Sequence, residues 1–133
     1  MISIKQNESS RHSQPRYSIS EVVNITGISA FTLRYYDKCG FFPELYRNEH
    51  KVRKFSDKDL EFLKLIDALR KSGLSIEGIQ YFVRIYLQGI KSESEQLHIL
   101  ETQKKILEYQ LAEIQNSLDV LTKEISQRRS ETL

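Results

Sequence analysis

Arg34, Tyr35 and Tyr36 stand side by side in the segment TLRYYDK, and Arg47, Asn48, Lys51 and Arg53 follow in the stretch RNEHKVRK. A guanidinium fork can bond two acceptors at once on a guanine edge or a phosphate. Lysine adds a point charge, and the hydroxyls of Ser29, Thr32 and the two tyrosines can donate to phosphate oxygens. Between Phe31 and Lys54 the bases Arg34, Lys38, Arg47, Lys51, Arg53 and Lys54 outweigh Asp37, Glu44 and Glu49, whereas acids prevail beyond Lys91. The positive charge therefore gathers in the first half, where a polyanion would bind.

Those donors act together only if rigid elements hold them. Ser20 is a candidate N-cap for a first helix that runs to about Thr26, with Val22, Val23 and Ile25 on its core face. Gly27 closes it, and a second helix starts near Ser29, carries Arg34, Tyr35 and Tyr36, and ends by Gly40. Leu33 is its core anchor, and Pro43 stops further helix. A short helix of this kind fits the DNA major groove, with a basic loop beside it on the backbone. Glu44 to Phe55 reads as that loop or a short two-stranded wing, with Val52 and Phe55 buried.

Ser56 is placed to cap a third helix over Asp57–Ser72, acidic in its first turn and basic in its last, as the helix dipole favours. Its core stripe is Leu60, Leu63, Ile66 and Leu69. After Gly73, Ser75 caps a fourth helix to about Leu87, with Ile79, Phe82, Val83 and Tyr86 inward. Ser92 and Glu95 have the spacing of a capping box for the last helix. Along it Leu97, Leu100, Lys104, Leu107, Leu111, Ile114, Leu118, Leu121 and Ile125 alternate by three and four. All but Lys104 are apolar, so this is a heptad seam that calls for a second helix and hence a homodimer. Ile99, Ile106 and Val120 form a lesser stripe that could dock on a DNA-binding domain.

At 133 residues and a net charge of +2 the chain suits one compact domain plus an accessory element. The organisation expected is a disordered polar arm over 1–16, a DNA-binding domain over 17–90, a coiled-coil helix over 91–128 and a tail over 129–133. The single cysteine, Cys39, cannot form an internal disulfide. Nothing has the length of a membrane span or the apolar core of a signal peptide, which points to a cytoplasmic, bacterial setting with no membrane partner.

The chain resembles MerR-family transcriptional regulators from about Tyr17 to Gln127. The likeness rests on YSISEV, TGIS, TLRYYDKCGFFP, the wing RNEHKVRKFS and DLEFLKLIDALRKSGLSIEGI. The later segment YLQGIKSESEQLHILETQKKILEYQLAEIQ is similar to a short branch without a separate effector domain, one that includes aldehyde- and thiol-responsive members. The resemblance implies an all-α fold with a small β wing: a winged helix-turn-helix joined to a long helix that pairs antiparallel in a dimer. It implies a pseudo-palindromic promoter operator that is bent and untwisted so that RNA polymerase can use it. It places Ser29, Phe31, Thr32, Arg34, Tyr35, Tyr36, Arg47, Asn48, Lys51 and Arg53 on the DNA side. The family often has Arg where Phe31 stands, Gly at Lys51 and Tyr at Val52, departures that leave the DNA-binding fold intact and the operator sequence open.

Each assignment has a plainer alternative. Arg34 could instead pair with Asp37 or Glu21, Ser29 could only cap its helix, and one of the two adjacent tyrosines should face the core. The whole chain could be an architectural or adaptor protein acting through its coil. Cys39, near a helix end, reads as an idle thiol, with thiol or aldehyde sensing through it as the alternative. No metal set, cofactor motif or catalytic constellation stands out, and enzymatic activity is not expected. An unidentified small-molecule effector, if there is one, would enter an apolar pocket between the long helix and the partner's third and fourth helices, a region that gathers Tyr81, Tyr86, Ile99, Ile106 and Tyr109, residues that could equally just fill an interface.

Overall fold

The computed structural model describes residues 13–132. The arm expected over 1–16 lies mostly outside them. Its last residue, Arg16, is fixed: its guanidinium donates to the Asp57 carboxylate at 2.8 and 3.0 Å, and Tyr17 pairs with Phe55 through two backbone hydrogen bonds.

Helix α1 spans Ile19–Thr26 and α2 spans Ala30–Lys38. The cap of α1 is Ser18, not Ser20. Ser18 accepts from the Glu21 amide while the Glu21 carboxylate accepts from the Ser18 amide, the reciprocal arrangement that satisfies two otherwise unpaired N–H groups. Val22 is buried, Val23 half-buried and Ile25 exposed, so the inward face is narrower than expected. Ser29 caps α2 by accepting from the Thr32 amide.

The end of α2 explains two core residues that the sequence reading passed over. Gly40 takes φ 85°, which costs it nothing for want of a Cβ. Its amide then bonds the Asp37 carbonyl and the Phe41 amide bonds the Tyr36 carbonyl. This Schellman turn brings Phe41 back onto Tyr36, with ring centroids 5.5 Å apart. Phe42 meets Phe55 edge to face at 5.9 Å. Each buried ring removes apolar surface worth roughly 1.5–3 kcal/mol from water.

Strands β1 (Tyr46–Arg47) and β2 (Arg53–Lys54) pair antiparallel, Tyr46 opposite Lys54 and Arg47 opposite Arg53. Helix α3 follows at Asp57–Lys71, α4 at Ile76–Tyr86, a short 3₁₀ turn at Gly89–Ser92 and α5 at Glu93–Glu131. Ser56 and Asp59 cap α3 reciprocally. Leu60, Leu63, Ile66 and Leu69 are buried as their spacing predicts, with Ile79, Phe82 and Val83 opposite. On α4 the fourth inward residue is Ile85; Tyr86 lies half outside, stacked on Phe62 with centroids 4.7 Å apart. The Ser92–Glu95 capping box does not form. The Ser92 hydroxyl instead donates to the Ile85 carbonyl, and Glu95 accepts from the Tyr81 hydroxyl. The result is a mostly helical head with a two-stranded wing and a terminal helix about 58 Å long at 1.5 Å per residue.

Candidate nucleic-acid interface

A surface cleft of about 630 Å³ runs between α1, α2 and the wing tip, lined by Ser18, Ile19, Ser20, Val23, Asn24, Ala30, Arg34, Lys51, Val52 and Arg53. Helix periodicity brings Arg34 to it from α2, and the wing turn brings Lys51, Val52 and Arg53 from the other side. Three cations and several hydroxyl or amide groups thus converge on one open groove, which is the arrangement a sugar-phosphate strand requires.

Arg34 has no ion pair among the described residues. Both acids that could have held it are engaged: Glu21 with Ser18, and Asp37 with the wing. The Asp37 carboxylate accepts from Arg47 on β1 and Arg53 on β2, each at 2.5 Å, and its side chain is only 7% exposed. Burial alone would push its pKa up. The two arginine hydrogen bonds outweigh that and hold it below the usual carboxylate value. Arg47 and Arg53 therefore fasten the wing to α2, and only their remaining N–H groups face outward.

The other expected contact residues divide. Tyr36 is 3% exposed and donates its hydroxyl to Asp67 at 3.0 Å, so it belongs to the core and not to the DNA side. Burial, followed by that hydrogen bond, pushes its pKa up to about 12. Tyr35 is exposed; its pKa is raised chiefly by hydrogen bonding with the Cys39 side chain. Phe31 is 79% exposed, an apolar ring held out from the free face of α2. The Ser29 hydroxyl is spent on capping and on a bond to the Thr32 hydroxyl at 2.9 Å. Asn48 shapes the wing turn, its side-chain oxygen accepting from the His50 and Val52 amides. Lys51 takes φ 63°, the left-handed conformation that glycine would adopt without strain. The turn therefore survives the substitution, and a charge is added at its tip. Val52, expected in the core, is half exposed in the cleft instead.

Ser20 and Asn24 were not foreseen at this groove. The signal was present in the spacing Ser18-x-x-Glu21, which gives the cap to Ser18 and leaves Ser20 free.

Cys39 is half-buried against the core and its carbonyl accepts from Gln80 at 2.8 Å. Among the described residues no three His, Cys, Asp or Glu side chains gather as a metal set, and no helix is long and apolar enough to cross a membrane. Tyr86 lines two clefts beside Phe62, and neither includes Tyr81, Ile99, Ile106 or Tyr109.

The model of the MerR HTH family regulatory proteins matches residues 17–84, a span that contains the whole cleft. The chain belongs to the MerR family. It is a MerR-type transcriptional regulator. It is 38% identical over 105 residues to an uncharacterised HTH-type transcriptional regulator of Haemophilus influenzae, covering 79% of this chain and 78% of that one. The regulator AdhR of Bacillus subtilis is 28% identical over 68% of this chain and 64% of its own. Among solved structures, HiNmlR, a MerR family regulator lacking the sensor domain and bound to promoter DNA, superposes with a TM-score of 0.72 at 38% identity, covering 77% of this chain and 78% of that one. A MerR family regulator from Bacillus thuringiensis superposes at 0.76 with 27% identity, over 84% and 97% of the two chains. The relatives named here are transcription regulators.

Proposed function

We propose that this MerR-type regulator binds a pseudo-palindromic promoter operator as a homodimer and controls transcription by bending and untwisting that DNA, acting on RNA polymerase only through the reshaped promoter. The observation that carries the DNA-contact assignment is Arg34. It is left unpaired among the described residues while both nearby acids are occupied, and it shares one cleft with Lys51 and Arg53. An unpaired guanidinium there keeps its whole donor fork for a base edge or phosphate. The dimer is supported by the seam: Leu107, Leu111, Ile114, Leu118, Leu121 and Ile125 are all exposed on a helix that leaves its own head behind. A single protomer gives that apolar stripe nothing to cover it. The same pairing would supply the second wall that a ligand site near Tyr86 needs, and a ligand there would act only through unequal affinity for two arrangements of the heads.

The test is an electrophoretic shift in physiological salt on the DNA upstream of the protein's own gene. Arg34→Ala should lose roughly 1–3 kcal/mol of affinity if the side chain reads a base, and should relax preference at one position per half-site. Unchanged binding would overturn the assignment of α2 as the reading helix.

A further inference from the structure

Helix α5 is fastened to its own head by one face, Gln96, Ile99, Leu100 and Gln103, spaced by three and four. Ile99 and Leu100 pack against the core. Gln96 donates to the Ile85 carbonyl at 3.2 Å and to the Ser92 hydroxyl at 2.9 Å. Gln103 closes the attachment. It is 8% exposed and is the one buried residue of α5 among those described. Its amide donates to the Ser72 hydroxyl at 2.8 Å, and that hydroxyl donates in turn to the Leu69 carbonyl at 2.6 Å. The same carbonyl accepts from the Leu74 amide in the Schellman turn that ends α3 at Gly73, whose φ is 94°. The last buried contact of the long helix is thus a directed polar chain into the hydrogen-bonded turn between α3 and α4. From Lys104 onward every described residue is exposed except half-buried Gln110.

We propose that Gln103 is a positioning residue: its bond to Ser72 sets the angle between head and long helix, and so the spacing of the two half-sites that the dimer accepts. The inference rests on the dimeric, operator-binding reading above. Apolar contacts at Ile99 and Leu100 resist separation but tolerate rolling and sliding. A hydrogen bond tolerates only a few tenths of an ångström and limited misalignment, and in a buried setting an unmade one is costly. The leverage is large. Beyond Gln103 the helix runs on for about 42 Å to Glu131, so a tilt of about 5° moves its far end by about 4 Å. That is close to the rise of one base pair, about 3.4 Å. Small errors at Ser72 therefore become errors of a whole base-pair step between heads.

The full chain is tested on duplexes of its gene's upstream region whose central spacer is native, or longer or shorter by one or two base pairs. Wild type should prefer one spacing. Gln103→Met, matched in length and apolar, and Ser72→Ala, which breaks the bond from the other side, should each lose about fivefold of that preference, the equivalent of one neutral hydrogen bond. The double variant should lose no more than either single one. Sedimentation and melting should show dimers that are still folded. A wild-type spacing preference in both variants overturns the inference and leaves the functional reading intact. A wild-type protein that is monomeric, or that shows no spacing preference, overturns that reading and the inference with it.

Discussion

Asp37 on α2 holds Nε of Arg53 in the wing at 2.5 Å, across the groove where the two elements meet. With Arg47 on the facing strand, one buried carboxylate ties both strands to α2. Part of the basic surface is thus an internal clamp. The wing's position is set by an acid lying in what charge alone marks as a basic surface.

Asp37→Asn should release the wing. Loss of one partner from a shared, largely buried pair costs about 1–3 kcal/mol. Because the variant also removes a negative charge from the DNA face, binding to non-specific DNA should tighten while the ratio of operator to non-specific affinity falls. Competition binding at several salt concentrations measures both. The pH dependence follows from the lowered Asp37 pKa: the clamp's contribution is complete above the ordinary value of 3.8 and is lost as pH falls through the lower folded value. Wild type and Asp37→Asn should therefore converge in stability in strong acid.

Tyr36→Phe should cost about 1 kcal/mol of stability, because Asp67 keeps its bridge to Lys71 at 2.9 Å. Operator affinity should change less than twofold. In an ultraviolet titration of the seven tyrosines, the phenol that resists ionisation until about pH 12 should vanish in this variant. Its folded pKa lies above its unfolded value, so the Tyr36 contribution is whole below pH 10 and drains away towards pH 12. A tenfold loss of DNA affinity in Tyr36→Phe would return this residue to the DNA side.

Lys51→Gly isolates a charge from a turn. Glycine takes φ 63° freely, so the wing should fold as well or better by thermal melting. The slope of log affinity against log salt should become shallower by about one unit. An unchanged slope would place the Lys51 ammonium away from phosphate.

Leu111→Asp combined with Leu118→Asp should yield monomers with intact heads, since both side chains are exposed on α5 and touch nothing in their own protomer's core. Burying two carboxylates in a helix seam is prohibitive. Operator binding should fall with dimerisation. Sedimentation as a dimer would remove the seam from the interface.

Much of this protein is set by short-range rules that the sequence displays. Ser29, Ser56 and Ser75 cap helices because a hydroxyl one residue before a helix reaches the free amides of its first turn. Leu60, Leu63, Ile66 and Leu69 are inward because their spacing follows one face of a 3.6-residue helix. The family, the wing and the long exposed seam follow from such local patterns and from the TLRYYD motif. Spacing also settles two choices between near-equivalent neighbours, whereas tertiary structure decides the polar pairings between elements. Ser18 wins the cap over Ser20 because Glu21 lies three residues on. Tyr36, not Tyr35, turns inward because it lies three residues after the buried Leu33 on one face of the helix, and Phe41, folded back through a left-handed Gly40, packs against it. Asp37 chooses the wing over Arg34, and Gln103 finds Ser72, because each pair is remote in sequence and meets only after the helices have packed. Sequence spacing governs what one element does to itself; which polar groups find each other across elements depends on the folded geometry, where partners must come within hydrogen-bonding distance or stay in water.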